Sequence, residues 1–354
     1  MSRRERLEAV LAGRKPDRTP VLGGWIACPE HIARLAGVSV DDYWADQRGV
    51  SIRAYDRLGV DGIIDIYLAL KRGDFRYVDA DSYFHAESGL SLEEAIQEVD
   101  RSPSPESVEK DFDFDAEYEK LVTSQRIGQK EAGEMLWMPG GWGLGVWQTS
   151  WYQIYGYENF FLMAGLYPDR LRKLMEVGGA LGRCRARVIA RAVTEGLRPR
   201  AFLFGEDFCT QRGPMISPDF LEKYFAPELR RSLEPVLEVG CRPVWHCDGD
   251  VRLVLDMLID CGVGGFQGFQ PECGMTIEAM AKRRTRDGAH LLIFGPLSVT
   301  TELPVLSPAQ IRRRVRHAVE ICSGNADLVL FTSNTINPDV PLENILAMVE
   351  AVRE

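Results

Sequence analysis

The sequence predicts a single (β/α)8 barrel, and three observations carry that prediction. Eight short apolar runs recur along the 354 residues, each followed by a polar or glycine-bearing turn and then by a helical pattern. An open doubly wound sheet also alternates strands with helices, but the chain has neither a G-x-G-x-x-G nor a G-x-x-x-x-G-K-[ST] segment to mark one, so no nucleotide cofactor is expected. Hydrophobic residues make up 45% of the chain against 27% charged, enough apolar material to fill one large core.

In chain order the strand candidates are Pro20–Trp25, Gly62–Tyr67 and Met135–Met138, the last closed by Pro139-Gly140-Gly141. Ala201–Phe204 follows, ending in Gly205-Glu206-Asp207, then Arg242–His246, ending in Cys247-Asp248-Gly249. The last three are Gly264–Phe269, ending in Gln270-Pro271-Glu272, His290–Phe294, ending at Gly295, and Asp327–Phe331, ending in Thr332-Ser333-Asn334. The intervening helices carry clear punctuation. Leu171, Leu174 and Met175 share a face after Pro168. Ser217-Pro218 supplies an N-cap followed by proline at the first helical position. Ser307 and Gln310 have capping-box spacing before Ile311, Val315, Ala318 and Val319. The last helix starts near Pro341 and carries Ile345, Met348 and Val352. An N-terminal helix precedes the barrel. Residues 68–134, between the second and third strands, exceed what one barrel helix needs. They read as an insertion that forms either a lid at the catalytic face or a solvated surface excursion, the latter suggested by the run Asp111-Phe112-Asp113-Phe114-Asp115. The chain shows no repeat and no second domain, so residues 1–354 are read as one unit.

Charge and cysteine usage narrow the function classes. A formal net charge of −10 argues against a nucleic-acid partner, which a basic face would serve. No run of 18 uncharged apolar residues predicts a membrane span, and the charged N-terminus lacks the apolar core of a signal peptide. The eight cysteines, Cys28, Cys184, Cys209, Cys241, Cys247, Cys261, Cys273 and Cys322, form no C-x-x-C pair and read as reduced thiols of a cytoplasmic protein.

Barrel chemistry gathers at the C-terminal ends of the strands. That rule selects Trp25, Asp65, Tyr67, Trp142, Glu206, Asp207, His246, Asp248, Gln270, Glu272, Ser333 and Asn334. His246, one of only five histidines, ends a strand, where it can ligate a metal, shuttle a proton or donate to an anionic substrate, or simply cap a loop. Asp248, two positions on, points the same way and can share a metal with it or orient its ring. Cys247 between them faces away and reads as packing. Glu206 and Asp207 form a carboxylate pair suited to acid–base work, although either can instead cap the next segment. Trp142, Trp147, Trp151, Tyr152, Tyr155 and Tyr157 cluster after the third strand. They read either as a stacking surface for a planar or macrocyclic ligand or as packing for the insertion.

Several segments together resemble the uroporphyrinogen decarboxylase superfamily, which holds that decarboxylase and corrinoid-linked methyltransferases. They are SRRERLEAVLAGRKPDRTPV from Ser2, GEDFCTQRGPMISPDFLEKYFAPELRR from Gly205, VWHCDGDV from Val244 and SNTINPDVPLENILAMVEAVRE from Ser333. The resemblance runs nearly the whole chain, is weakest across residues 68–134, and itself implies a (β/α)8 barrel. Two departures limit what it implies about function. Where the decarboxylase has an arginine-rich turn that grips propionates, this chain reads GGWIACPEH from Gly23, with no arginine. An eight-carboxylate porphyrinogen is therefore a poor substrate, and the acidic net charge points the same way. Where the thiol-directed methyltransferases hold zinc with H-x-C and a later cysteine, this chain has Asp248 and Asn334. A His/Asp/Asn set is oxygen-rich and would hold zinc weakly or no metal at all.

The resemblance then implies an enzyme that demethylates a small methylated donor, a methyl ether or methylamine, with a corrinoid on a partner protein as acceptor. His246 and Asp248 would polarise or protonate the leaving atom, and would be the metal ligands if one is bound, while Glu206 or Asp207 would position the donor or relay the proton. Trp25, Tyr67, Trp142, Trp147, Gln270, Glu272 and Asn334 would surround the substrate. The alternatives are a cofactor-free decarboxylase of a smaller acid, with Asp65 stabilising a cationic intermediate, and a non-catalytic corrinoid- or tetrapyrrole-binding protein. The resemblance is compatible with a homodimer.

Overall fold

The computed structural model describes residues 1–69, 88–148, 150–268 and 270–353. Its parallel strands are β1 (Leu22–Gly23), β2 (Gly62–Ile63), β3 (Leu136–Trp137), β4 (Ala201–Gly205), β5 (Arg242–His246), β6 (Gly265–Gln267), β7 (Leu292–Leu297) and β8 (Asp327–Thr332). β1, β2 and β3 pair in that order, and so do β4 through β8. Two seams join these groups into a (β/α)8 barrel. At one, Val21 bridges Leu330 in parallel and the Leu330 N–H donates to Pro20 O at 2.8 Å. At the other, Gly141 N–H donates to Leu203 O at 2.7 Å. The strands thus follow one another around the barrel in chain order.

The strand interior is filled by Ile64, Leu136, Met138, Leu203, Val244, Phe294, Val329 and Phe331. The N-terminal helix Arg3–Leu11, closed at its start by a Ser2/Glu5 capping box, adds Leu7, Val10 and Leu11 to the same cluster. Below it lies a dense ion-pair network. Asp61, fully buried, accepts from Arg6 at 2.6 Å, from Arg18 at 2.9 Å and from the Val21 N–H at 2.8 Å. Arg6 also pairs with Asp17.

The helices follow their punctuation. Pro168–Thr194 buries Leu171, Leu174 and Met175. Ser217 caps a short turn, Pro218–Phe220, that widens into a π-turn at Leu221–Phe225 before helix Ala226–Glu238. Pro308–Cys322 has the Ser307/Gln310 capping box and buries Ile311, Val315 and Ala318. Pro341 is the N-cap of Leu342–Glu350, so Val352 lies beyond the helix end.

Some boundaries differ from expectation. β7 does not stop at Phe294: Gly295 and Pro296 stay in register with Leu330 and Phe331 of β8, because a paired neighbour outweighs the usual turn preference of Gly-Pro. β1 and β2 are shorter than their apolar runs. Gly24 (φ +133°) and Asp65 (φ +40°) leave the extended region and end the ladders. β6 ends before Gly268 (φ +94°), and Phe269 lies outside the described residues.

Of the insertion, the described part forms helices Leu92–Arg101, Pro105–Asp111 and Phe114–Ala132, the last two packed against Pro168–Thr194. The Asp113 side chain caps the last of these, which gives part of the acidic-aromatic run a local role. Residues 70–87, where a lid would have to be sought, lie outside the described residues. Among the described residues no helix is long and apolar enough to cross a membrane. All eight cysteines are buried and unbridged.

Candidate active site at the barrel mouth

The site is assembled around His246, the last residue of β5. Gly205 ends the neighbouring β4 at φ +143°, and a Cβ there would stand 2.1 Å from His246 O, so only glycine lets the two strand ends approach. His246 is 9% exposed. Its Nδ1 meets Gln267 Oε1. The Gln267 amide has a fixed orientation, because its Nε2 donates to Thr332 O at 2.7 Å and to Ser333 O at 2.9 Å. Oε1 therefore accepts and Nδ1 carries a proton, which leaves Nε2 as the ring nitrogen turned toward the mouth.

Nε2 faces carboxylates. Nε2 lies 3.7 Å from Asp207 Oδ1, which also accepts from the Asp248 N–H at 2.9 Å. Asp248 Oδ2 accepts from Asn334 Nδ2 at 2.5 Å, while Asp248 Oδ1 is buried with no hydrogen-bond partner. Burial, and then the like charge of Asp207, raise the Asp248 pKa to about 6, with His246 and Asn334 opposing the rise. One ligand atom each from Asp207, His246 and Asp248 lies within 4.8 Å of the other two. A ring nitrogen with its other nitrogen tied down and two carboxylates, one of them with an orphaned buried oxygen, form a donor set that fits a divalent cation of intermediate or hard character. No thiolate belongs to the set: Cys247 is buried, and burial together with Cys209 pushes its thiol well up.

Two indoles roof the imidazole. Trp25 and Trp142 stack with centroids 6.3 Å apart, and each meets the His246 ring edge-on, at 5.6 and 5.8 Å. Asp65 holds Trp142 in place, accepting from its Nε1 at 2.8 Å and from Gly140 N at 3.2 Å. Trp142 stays 40% exposed at the rim, as does Tyr67, whose backbone N–H donates to Gly24 O.

The structure thus brings together His246, Asp207, Asp248, Asn334, Trp25, Trp142 and Asp65, with Tyr67 at the rim. Other candidates are spent on loop structure. Glu272 accepts from the hydroxyls of Ser298, Thr300 and Thr301, and Gln270 accepts from Gly249 N at 2.7 Å. Glu206 packs against Gly145 at the edge of the mouth. Trp147 is a correction: it is fully buried, donates to Tyr152 Oη at 2.8 Å and packs on Phe160 and Phe208, so it belongs to the core and not to the substrate surface. Trp151, Tyr152 and Tyr155 are buried with it. Two contributors escaped the sequence reading. Gln267 sets the His246 tautomer, and Phe331 backs Trp25 with centroids 5.2 Å apart. A glutamine inside the apolar run GGFQGF was the available signal for the first.

The site is thus a histidine–carboxylate centre under aromatic rings at the mouth of a (β/α)8 barrel, and the comparisons give the family. The uroporphyrinogen decarboxylase family model matches residues 2–354, and the chain belongs to that family. Comparison with curated protein sequences finds no match. Among solved structures, a methyltransferase from Methanosarcina mazei superposes with a TM-score of 0.66 at 17% identity, covering 100% of this chain and 98% of that one.

Proposed function

We propose that this protein is a methyltransferase that removes a methyl group from a small methylated donor, an ether or amine, and passes it to a corrinoid carried by a partner protein. The observation that carries the reading is the convergence of His246 Nε2, Asp207 and Asp248 beneath the Trp25–Trp142 roof. The methyltransferase structure with the same fold supports it. The exposed rings of Trp142 and Tyr67 offer a rim that fits a planar macrocycle. A reduced corrinoid supplies a nucleophilic cobalt that accepts the methyl group without its bonding pair. A divalent cation, held by His246, Asp207 and Asp248, would supply Lewis-acid polarisation of the donor heteroatom.

The chain's own groups account for the rest. When the methyl–heteroatom bond breaks, the electron pair stays on the heteroatom, which leaves as an alcohol or amine after gaining a proton. That proton would come from the Asp248 carboxyl, raised to about 6, or from solvent, with His246 Nε2 and Asp207 beside it. The two indoles exclude water from one side and hold an apolar donor. Asp65 fits the decarboxylase reading poorly, since its oxygens are engaged with Gly140 and Trp142.

The test mixes purified protein, a reduced corrinoid acceptor and a panel of methyl ethers and methylamines, and follows the corrinoid absorbance as it becomes methylated. Transfer is expected from at least one donor, with His246→Ala and Asp248→Asn each slowing it about 100-fold or more. No transfer from any donor overturns the reading.

A further inference from the structure

Outside the barrel, beneath the loop that follows β3, a cleft of about 300 Å3 opens between helices Phe114–Ala132 and Pro168–Thr194. Its lining joins cationic and apolar groups: Lys120, Arg185 and Arg198 with Leu121, Ile189 and Trp142. Arg198 is 8% exposed, and burial lowers its pKa to about 10, with Cys241 and the more distant charge of Asp65 opposing the fall. A guanidinium this far from water ordinarily has a carboxylate to offset its desolvation. Here Arg198 Nη2 donates only to the carbonyls of Pro139, at 2.6 Å, and Gly140, at 3.1 Å. Arg185 Nη1 donates to Gly143 O at 2.8 Å. Among the described residues neither arginine forms an ion pair, and the one acid in the lining, Glu117, stands 3.8 Å from Lys120. The wall therefore holds two guanidiniums whose remaining donors have no protein acceptor among the described residues.

We propose that this cleft binds a small organic carboxylate, gripped by Arg185 and Arg198, with its apolar body against Leu121 and Ile189. A cleft of this size is at the small end of ligand sites. Guanidinium forks match a carboxylate, and the apolar wall favours an organic anion over an inorganic one. The occupant would share its arginines with the Pro139, Gly140 and Gly143 carbonyls. Those carbonyls belong to the loop that carries Trp142 over His246, so binding in the cleft and ligand binding at the mouth are coupled, each altering the affinity of the other.

The test is calorimetric titration of the full-length protein with hexanoate at low salt, with 1-hexanol and inorganic phosphate in parallel. Saturable hexanoate binding is expected, with hexanol and phosphate each at least about tenfold weaker, a difference of about 1.4 kcal/mol. Arg185→Gln, on a half-buried helix position, and Arg198→Lys should each weaken hexanoate about tenfold or more. Circular dichroism confirms that each variant is folded, and if Arg198→Lys is not, Arg185→Gln decides alone. The proposal is overturned if hexanoate does not bind, binds Arg185→Gln as tightly as the parent, or binds no better than phosphate or hexanol.

Discussion

At the scale of single residues, Gln267 decides which nitrogen of His246 is available. Its amide is anchored by two backbone carbonyls of the β8 end, so Nδ1 donates to it and Nε2 faces Asp207 and Asp248. Replacing it with leucine removes the acceptor and frees the tautomer. Gln267→Leu should therefore weaken divalent-cation binding about 10- to 100-fold, the usual cost of losing an outer partner of a metal-ligating histidine. Gln267→Glu restores an acceptor at Nδ1 and should recover much of the loss. Calorimetric titration with Zn2+ or Mn2+ measures both, and nitrogen-15 shifts of the His246 ring report the tautomer. Equal affinity in the parent and Gln267→Leu would dispose of the argument. His246, Asp207 and Asp248 were legible because polar residues at strand ends in an apolar barrel need a reason to be there. Gln267 was not, because a lone amide inside an apolar run looks like any strand residue until its register places it beside the histidine. Trp147 misled for the opposite reason: spacing cannot tell an aromatic side chain that lines a mouth from one that fills the core behind it.

At the scale of elements, the barrel's start is pinned by charge as well as by apolar contact. Asp61, immediately before β2, is fully buried and receives Arg6 from the N-terminal helix, Arg18 from the following turn and the backbone N–H of Val21 at the head of β1. One carboxylate thus joins three segments whose strands are only two residues long. Removing it leaves Arg18 without its carboxylate and buried Arg6 with Asp17 alone. Asp61→Ala should cost about 3–5 kcal/mol, the range for breaking a buried ion pair from one side. Urea unfolding should show the midpoint falling with little change in slope. A loss below about 1 kcal/mol would mean that water replaces the carboxylate. The order of strands was readable from eight repeats of run, turn and helix. Their ends were not, because positive φ at Gly24 and Asp65, and the pairing that keeps Gly295 and Pro296 within β7, are set by neighbouring strands and not by local preference.

At the scale of the whole molecule, the acidic balance makes stability depend on pH in two opposed ways. Asp17 beside Arg6, Asp250 beside Arg252 and Glu278 beside His317 are held below their ordinary values by those partners. Each contributes stability that is present above the unfolded-state pKa near about 4 and is lost as the pH falls through the lower folded value. Glu228 and Glu302 are pushed the other way by burial, although Arg231 and the Ser298 N–H respectively hold them back in part. Ionising these two costs stability above their raised folded values, and that cost is relieved as the pH falls toward about 4. Stability should therefore rise or hold steady from neutral pH into the mildly acidic range, then fall below about pH 4 as the paired carboxylates take up protons. Scanning calorimetry across that range tests the sign. Asp248, raised to about 6, acts in the same sense, so Glu302→Gln removes one of three opposing groups and should flatten the mildly acidic limb in part while leaving the acid limb in place. A melting temperature that falls steadily from pH 7 downward would mean that the paired acids outweigh the buried ones throughout. The limb below about pH 4 would then have no separate origin.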